Sequence, residues 1–289
     1  MLNESALTES MITTNGIRLH VMQAGPQDGP LVVLLHGFPE FWRGWKYQIE
    51  PLALAGFRVA VPDQRGYNLS DKPQGLDAYR LNRLVEDVTG LIHALGYERA
   101  SVVGHDWGAA VAWSLAALHP EMVEHLAILN VPYPAVAFRG AFRHPDQFLR
   151  SAYIAFFQIP LIPEAILRNN NWELMVRTLQ RTSRPGTFSE ADFEHYRSAW
   201  WRKGAMTAML NWYRAFIRRP PQIPDRPVIQ VPTLVLWGKK DFALNHHLAR
   251  ASIDLCPQGQ LVYFDEASHW LQHEEPAAVN ARLLDFLRS

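Results

Sequence analysis

Three side chains in this sequence have the types and spacing for attack by a carboxylate. The first is Asp106, at the centre of Gly104-His105-Asp106-Trp107-Gly108. The β-type run Ser101-Val102-Val103 climbs to Gly104, and the small and apolar residues 109–118 leave Gly108 as a helix. Small residues two before and two after a central residue are the layout of a nucleophile elbow, where strand and helix crowd together beside a strained apex. Serine or cysteine at the apex points to acyl transfer. Aspartate points to a carboxylate that attacks a saturated carbon and forms an alkyl ester. Its other use here is as the N-cap of a tight strand-to-helix turn.

The second residue is Asp241, after Trp237-Gly238-Lys239-Lys240, and the third is His269, before Trp270. Singly, Asp241 reads as a turn residue and His269 as a loop histidine. Together with Asp106 they follow separate β-type runs in the order nucleophile, acid, histidine. In a parallel sheet the strand C-termini share one edge, so the three converge there. The other place for the acid, after Ile128-Leu129, holds Asn130. An amide carries no charge to set against an imidazolium, so Asp241 is the better acid.

The elements that must position these residues alternate between strand and helix. Strands are expected at 17–24, 31–35, 57–62, 101–104, 123–130, 232–238 and 260–264. The continuous apolar run 31–35 suits a strand covered on both faces. Helices are expected at 42–55, 79–95, 109–118, 246–255 and 276–287, and residues 1–15 as a loose arm. The alternation predicts an α/β fold with a mostly parallel sheet. Residues 133–220 differ: they hold 16 of the 33 aromatic residues and carry 13 Lys+Arg against 6 Asp+Glu. Helical spacing dominates there, at 152–157, 172–180, 191–201 and 206–217. The division predicted is a core of residues 1–132 and 221–289 and an inserted helical cap of residues 133–220. The cap's basic excess reads as a solvated outer face, and Pro220, Pro221, Pro224 and Pro227 mark the return to the core.

Composition narrows the classes. Lys+Arg and Asp+Glu both number 28, so no global charge points to nucleic acid or membrane. Cys256 is the sole cysteine, which excludes an internal disulfide and a cysteine zinc site and fits a reducing, cytoplasmic compartment. The first residues lack a signal-peptide layout, and no apolar run is long enough to span a bilayer. His246 and His247 read as a helix start, since adjacent residues on a helix point apart and pair poorly on a metal. No metal site and no cofactor is expected. Trp42, Trp45, Trp200 and Trp201 read as packing residues with a place in the pocket lining.

Over nearly its full length the chain resembles the epoxide hydrolase family of the α/β-hydrolase superfamily. The motifs are His36-Gly37-Phe38-Pro39, Asp63-Gln64-Arg65-Gly66-Tyr67, the Asp106 elbow, Trp237-Gly238-Lys239-Lys240-Asp241 and His269-Trp270. The resemblance also implies two cap tyrosines: Tyr153, in Tyr153-Ile154-Ala155-Phe156-Phe157-Gln158, and Tyr213, in Leu210-Asn211-Trp212-Tyr213-Arg214. It implies that Asp106 opens the epoxide ring, that both phenols bind and protonate its oxygen, and that His269, held by Asp241, activates the water that cleaves the ester. Backbone N–H groups of Phe38 and Trp107 would form the oxyanion hole, a cis Phe38–Pro39 bond is implied, and Phe38, Pro39 and Trp107 would line the substrate site. His36 and His105 read as hydrogen-bonding supports. The expected partners are a small hydrophobic epoxide and water, with a homodimer possible in principle. A haloalkane dehalogenase shares the aspartate elbow, and the Trp107 indole offers it a halide donor, whereas Phe38 offers no second polar side chain. A non-catalytic ligand-binding protein of this fold is the remaining alternative, and an intact triad argues against it.

Overall fold

The computed structural model describes residues 7–143 and 145–289, with the side chains of 141–146 outside the description. Eight strands form one sheet: β1 (Thr8–Thr14), β2 (Ile17–Ala24), β3 (Leu31–Leu35), β4 (Arg58–Pro62), β5 (Ala100–His105), β6 (Val123–Leu129), β7 (Thr233–Gly238) and β8 (Gly259–Phe264). Their spatial order is β1-β2-β4-β3-β5-β6-β7-β8. β2 pairs antiparallel with β1 and β4, and the pairs from β4 through β8 are parallel. Helices cover the central strands, so every residue of β3, β5 and β7 is buried.

Several elements differ from the sequence expectation. The arm of residues 1–15 is a strand from Thr8 onward, paired along its length with β2. The pattern Thr-Glu-Ser-Met-Ile-Thr-Thr is polar because this edge strand keeps one face in solvent. Residues 42–55 form a short tight turn of helix, Trp42–Trp45, and a separate helix, Ile49–Leu54. Helices Pro134–Arg143 and Pro145–Arg150 precede the expected one at Ala152–Phe157. The helix expected at 172–180 is the second half of a kinked element, Ile162–Thr182, broken at residues 169–172 where Asn170, Asn171 and Trp172 have positive φ. Asparagine tolerates that conformation because its short side chain bonds locally.

The segment between β6 and β7 contributes no strand among the described residues; Glu190–Trp200 and Ala205–Arg218 complete its helices. Its aromatic side chains bind core loops. The Trp200 indole donates to the Pro39 carbonyl at 2.7 Å and the Trp212 indole to the Arg65 carbonyl at 3.0 Å. The Tyr196 hydroxyl donates to Glu40 at 2.7 Å. Each link takes a polar atom of a large apolar group and spends it on a core loop, so burying the ring leaves no orphan donor.

Candidate active site

The parallel strands deliver their C-terminal residues to one edge: Phe38 beyond β3, Asp106 after β5, Asn130 after β6, Asp241 beyond β7 and His269 in the loop beyond β8. Asp106 has φ 49° and ψ −124°, a sparsely populated conformation for a residue with a Cβ, and its side chain makes no capping bond. The carboxylate therefore stands at the apex of the turn rather than serving as a helix cap. The flanking glycines make the turn possible. A Cβ on Gly108 would lie 2.1 Å from the Leu35 carbonyl oxygen, and one on Gly104 would lie 2.6 Å from the Ala109 Cα.

One Asp106 oxygen accepts from the Phe38 backbone N–H at 2.7 Å, and the other lies 3.5 Å from His269 Nε2. Trp107 opens the elbow helix, so its own N–H belongs to the first turn, which has no intrahelical acceptor. The Phe38–Pro39 bond is cis. His269 Nδ1 lies 2.7 Å from Asp241, which is 2% exposed. Asp241 also accepts the backbone N–H groups of Ala243 and Leu244 at 2.7 and 2.9 Å and the Asn130 amide at 2.8 Å. Asn130, rejected on sequence as the acid, thus donates to the carboxylate of Asp241.

Charge is set by these contacts. Burial opposes a charge on His269, but the Asp241 and Asp106 carboxylates outweigh it and raise its pKa to about 10. Burial likewise opposes ionisation of Asp106, while the His269 bond and charge and the Phe38 N–H hold it below the usual carboxylate range. His36 is lowered by its burial and accepts from the Gln64 N–H at 3.0 Å. His105 donates to the His269 carbonyl at 2.8 Å and accepts from the Gln272 amide at 3.1 Å. Beyond it lies buried Glu40, 2.7 Å from His273 Nε2. Both histidines support loops, and neither reaches the cavity.

Two cavities meet at Asp106. The larger, about 290 Å³, is lined by Phe38, Pro39, His269 and Trp270 from the core and by Phe157, Leu167, Met175 and Leu179 from the helical insertion. The smaller, about 110 Å³, is lined by Trp107, Ala110, Pro134, Ala137, Phe216 and Leu244, among others. Asp106, Tyr153 and Tyr213 border both. The two tyrosine rings lie 6.0 Å apart, and Tyr213 packs edge-on against Trp107 at 4.9 Å and Phe38 at 5.4 Å. Loss of water around its hydroxyl and then the Asp106 and Asp241 charges raise the Tyr153 phenol, although the residue is 36% exposed, and burial raises that of Tyr213 well above the ordinary tyrosine value, so both keep their protons. Trp42, Trp45, Trp200 and Trp201 line neither cavity: the first three are buried in packing, and Trp201 lies exposed beneath Arg168. The His246 and His247 rings do not point apart but lie 4.3 Å from each other, because His246 sits just outside the helix His247–Ile253. Among the described residues no cluster of three or more His, Cys, Asp or Glu side chains is placed to hold a metal.

Residues 30–276 match the profile of the alpha/beta hydrolase fold family. The chain belongs to that family. It is 50% identical to the AB hydrolase superfamily protein YfhM of Bacillus subtilis, over 96% of this chain and 97% of that one. It is 37% identical to epoxide hydrolase A of Mycobacterium tuberculosis, over 98% of each. A crystal structure of the Bacillus megaterium epoxide hydrolase with an inhibitor superposes with a TM-score of 0.88 at 31% identity, covering 97% of this chain and all of that one. Proteins named epoxide hydrolases thus match this α/β-hydrolase over nearly its full length. Among its described residues no helix is long and apolar enough to cross a membrane.

Proposed function

We propose that this protein hydrolyses epoxides to vicinal diols through an ester on Asp106. The observation that carries the reading is the meeting of one carboxylate and two protonated phenols at a shared apolar cavity wall. An epoxide carbon is saturated, so its attacker must already be an anion. Asp106 is one, held ionised by His269 and the Phe38 N–H. The ring oxygen leaves as a poor alkoxide and needs a proton, which Tyr153 or Tyr213 donates. A departing halide needs none, so the phenol pair favours an epoxide over a haloalkane.

The protons then balance within the site. Ring opening forms the Asp106 ester bond, breaks the ring carbon–oxygen bond and leaves a phenolate, which takes the His269 proton. Esterification has also removed the Asp106 charge that helped Asp241 raise the His269 pKa, so the neutral imidazole forms more readily than in the resting enzyme. It deprotonates a water, and the hydroxide adds to the Asp106 carboxyl carbon. The oxyanion forms beside the N–H groups of Phe38 and Trp107, where one such donor contributes about 10²–10³ in rate. Collapse frees the diol and restores the carboxylate and the imidazolium. Residues 133–220 act as the cap that brings the phenols to the core. The substrate class is a hydrophobic epoxide, since the cavity walls are chiefly aromatic and aliphatic. Buried Cys256 is in keeping with a reducing cytoplasm.

His269→Gln tests this assignment. Ring opening continues and ester cleavage stops, so intact-protein mass should rise by one substrate. A variant that turns over normally, or one that loses activity and never gains mass, contradicts it.

A further inference from the structure

Between Phe148 and Arg168 the exposed residues are apolar apart from Arg150 and Arg168. Phe148, Leu149 and Leu161 are 62%, 73% and 76% exposed. The only acid in that stretch, Glu164, is bound by Arg214 at 2.7 Å. A water-facing surface of this length usually mixes charges of both signs with few large apolar groups. The strip adjoins the cavity mouth. Tyr153, within it, lines both cavities and is itself exposed, as are Leu174 and Phe242 of the larger cavity's lining. Arg150 donates to the carbonyls of Asp241 and Phe242 at 2.6 and 3.2 Å, which fixes Phe148 and Leu149 beside that rim. The insertion as a whole carries 13 Lys+Arg against 6 Asp+Glu, with Arg139, Arg184 and Arg219 paired to acids of the core, and Arg218 meets the strip by donating to the Gln158 side chain at 3.2 Å.

We propose that this face docks on an anionic lipid bilayer, with the apolar strip in the interface and the arginines against the headgroups. Exposed apolar groups flanked by arginines have the chemistry of interfacial membrane binding. A second copy fits less well, because two such basic faces repel and a copy seated there covers the mouth. Docking sets the cavity entrance against the phase in which hydrophobic molecules dissolve. That these molecules are epoxides rests on the function proposed above; the docking itself does not.

Flotation of the full-length protein with phosphatidylcholine vesicles, with and without phosphatidylglycerol, tests the proposal. Partition should be about tenfold or more stronger on the anionic vesicles and weaken as salt is added. Leu149→Asp and Leu161→Asp should each reduce it about tenfold, and uncharged Leu161→Ser should reduce it in the same direction. Hydrolysis of a small water-soluble epoxide should be unchanged in all three. No flotation, equal flotation on both vesicles, or variants that float like the wild type overturn the proposal. So does a dimer in sedimentation that Leu161→Asp dissociates. Vesicle binding without diol formation leaves docking standing and refutes the proposed reaction; diol formation without vesicle binding does the reverse.

Discussion

At the sheet edge Asp241 accepts four hydrogen bonds, from Asn130, His269, Ala243 and Leu244. Across the larger cavity the kinked helix presents Leu167, Leu174, Met175 and Leu179, none with a polar side-chain atom. Its Thr178 turns its hydroxyl back to the Leu174 carbonyl at 2.7 Å. One wall is held to narrow tolerances by polar bonds in a buried setting, where an unmade bond is costly. The other is tied near its ends by Glu164 to Arg214 and by Thr182 to the Trp270 indole, but faces the cavity through packing alone, which tolerates exchange of one apolar side chain for another. The chemical step should therefore be brittle at the sheet edge and the substrate range adjustable in the helices. Tyr153 and Tyr213 are the exceptions, chemical groups mounted on the adjustable side.

The comparison breaks if the tyrosines prove dispensable. Tyr153→Phe combined with Tyr213→Phe should slow epoxide opening about 10²–10⁴-fold in single-turnover kinetics. Ester cleavage should hardly change. A smaller loss in opening places the acid elsewhere.

The pH dependence separates the two half-reactions. On the proposed mechanism opening needs ionised Asp106 and protonated phenols, so its rate should be flat through neutral and mildly alkaline pH. Ester cleavage, on the same mechanism, needs neutral His269. Its rate should rise about tenfold per pH unit and then level below pH 10, since esterification removes the Asp106 charge that helped set the value of about 10. Stability follows the resting enzyme. A folded pKa raised above 6.5 stabilises fully below 6.5 and is lost as pH rises through about 10. The Tm should fall across that window, and less so in His269→Gln.

Asn130→Ala should slow ester cleavage about 10–100-fold while opening continues, because buried Asp241 loses one donor. An equal loss in both steps would mean that Asn130 shapes the loop generally. The smallest effect is expected in the helical wall. Leu179→Phe should lower kcat/KM for bulky epoxides about tenfold and leave small ones within about twofold. A collapse for all substrates would show that wall to be as exacting as the sheet edge.

These differences follow what the sequence made legible. Asp106, Asp241 and His269 each follow a strand, and a parallel sheet brings strand ends to one edge, so chain order alone located them. The Asn130 position was visible but its use was not: an amide that cannot be the acid can still donate to it, and only the distance to Asp241 reveals this. Glu40 meets Tyr196 and His273 across 156 and 233 residues, with no local pattern to announce either contact. Nothing in the sequence marks Leu167, Met175 and Leu179 as cavity lining, because lining a cavity and filling one call for the same side chains. Edge strand β1 was missed for its half-exposed polar pattern, and the front half of Ile162–Thr182 for the asparagines at its break.

The ester on Asp106 is tested most directly by one turnover in heavy-oxygen water. If the carboxylate attacks carbon and water attacks the carboxyl, the first diol contains only light oxygen, and the heavy atom appears in the peptide carrying Asp106. A diol that takes up heavy oxygen in its first turnover, with that peptide unlabelled, would mean that water attacks the epoxide directly and would contradict the account.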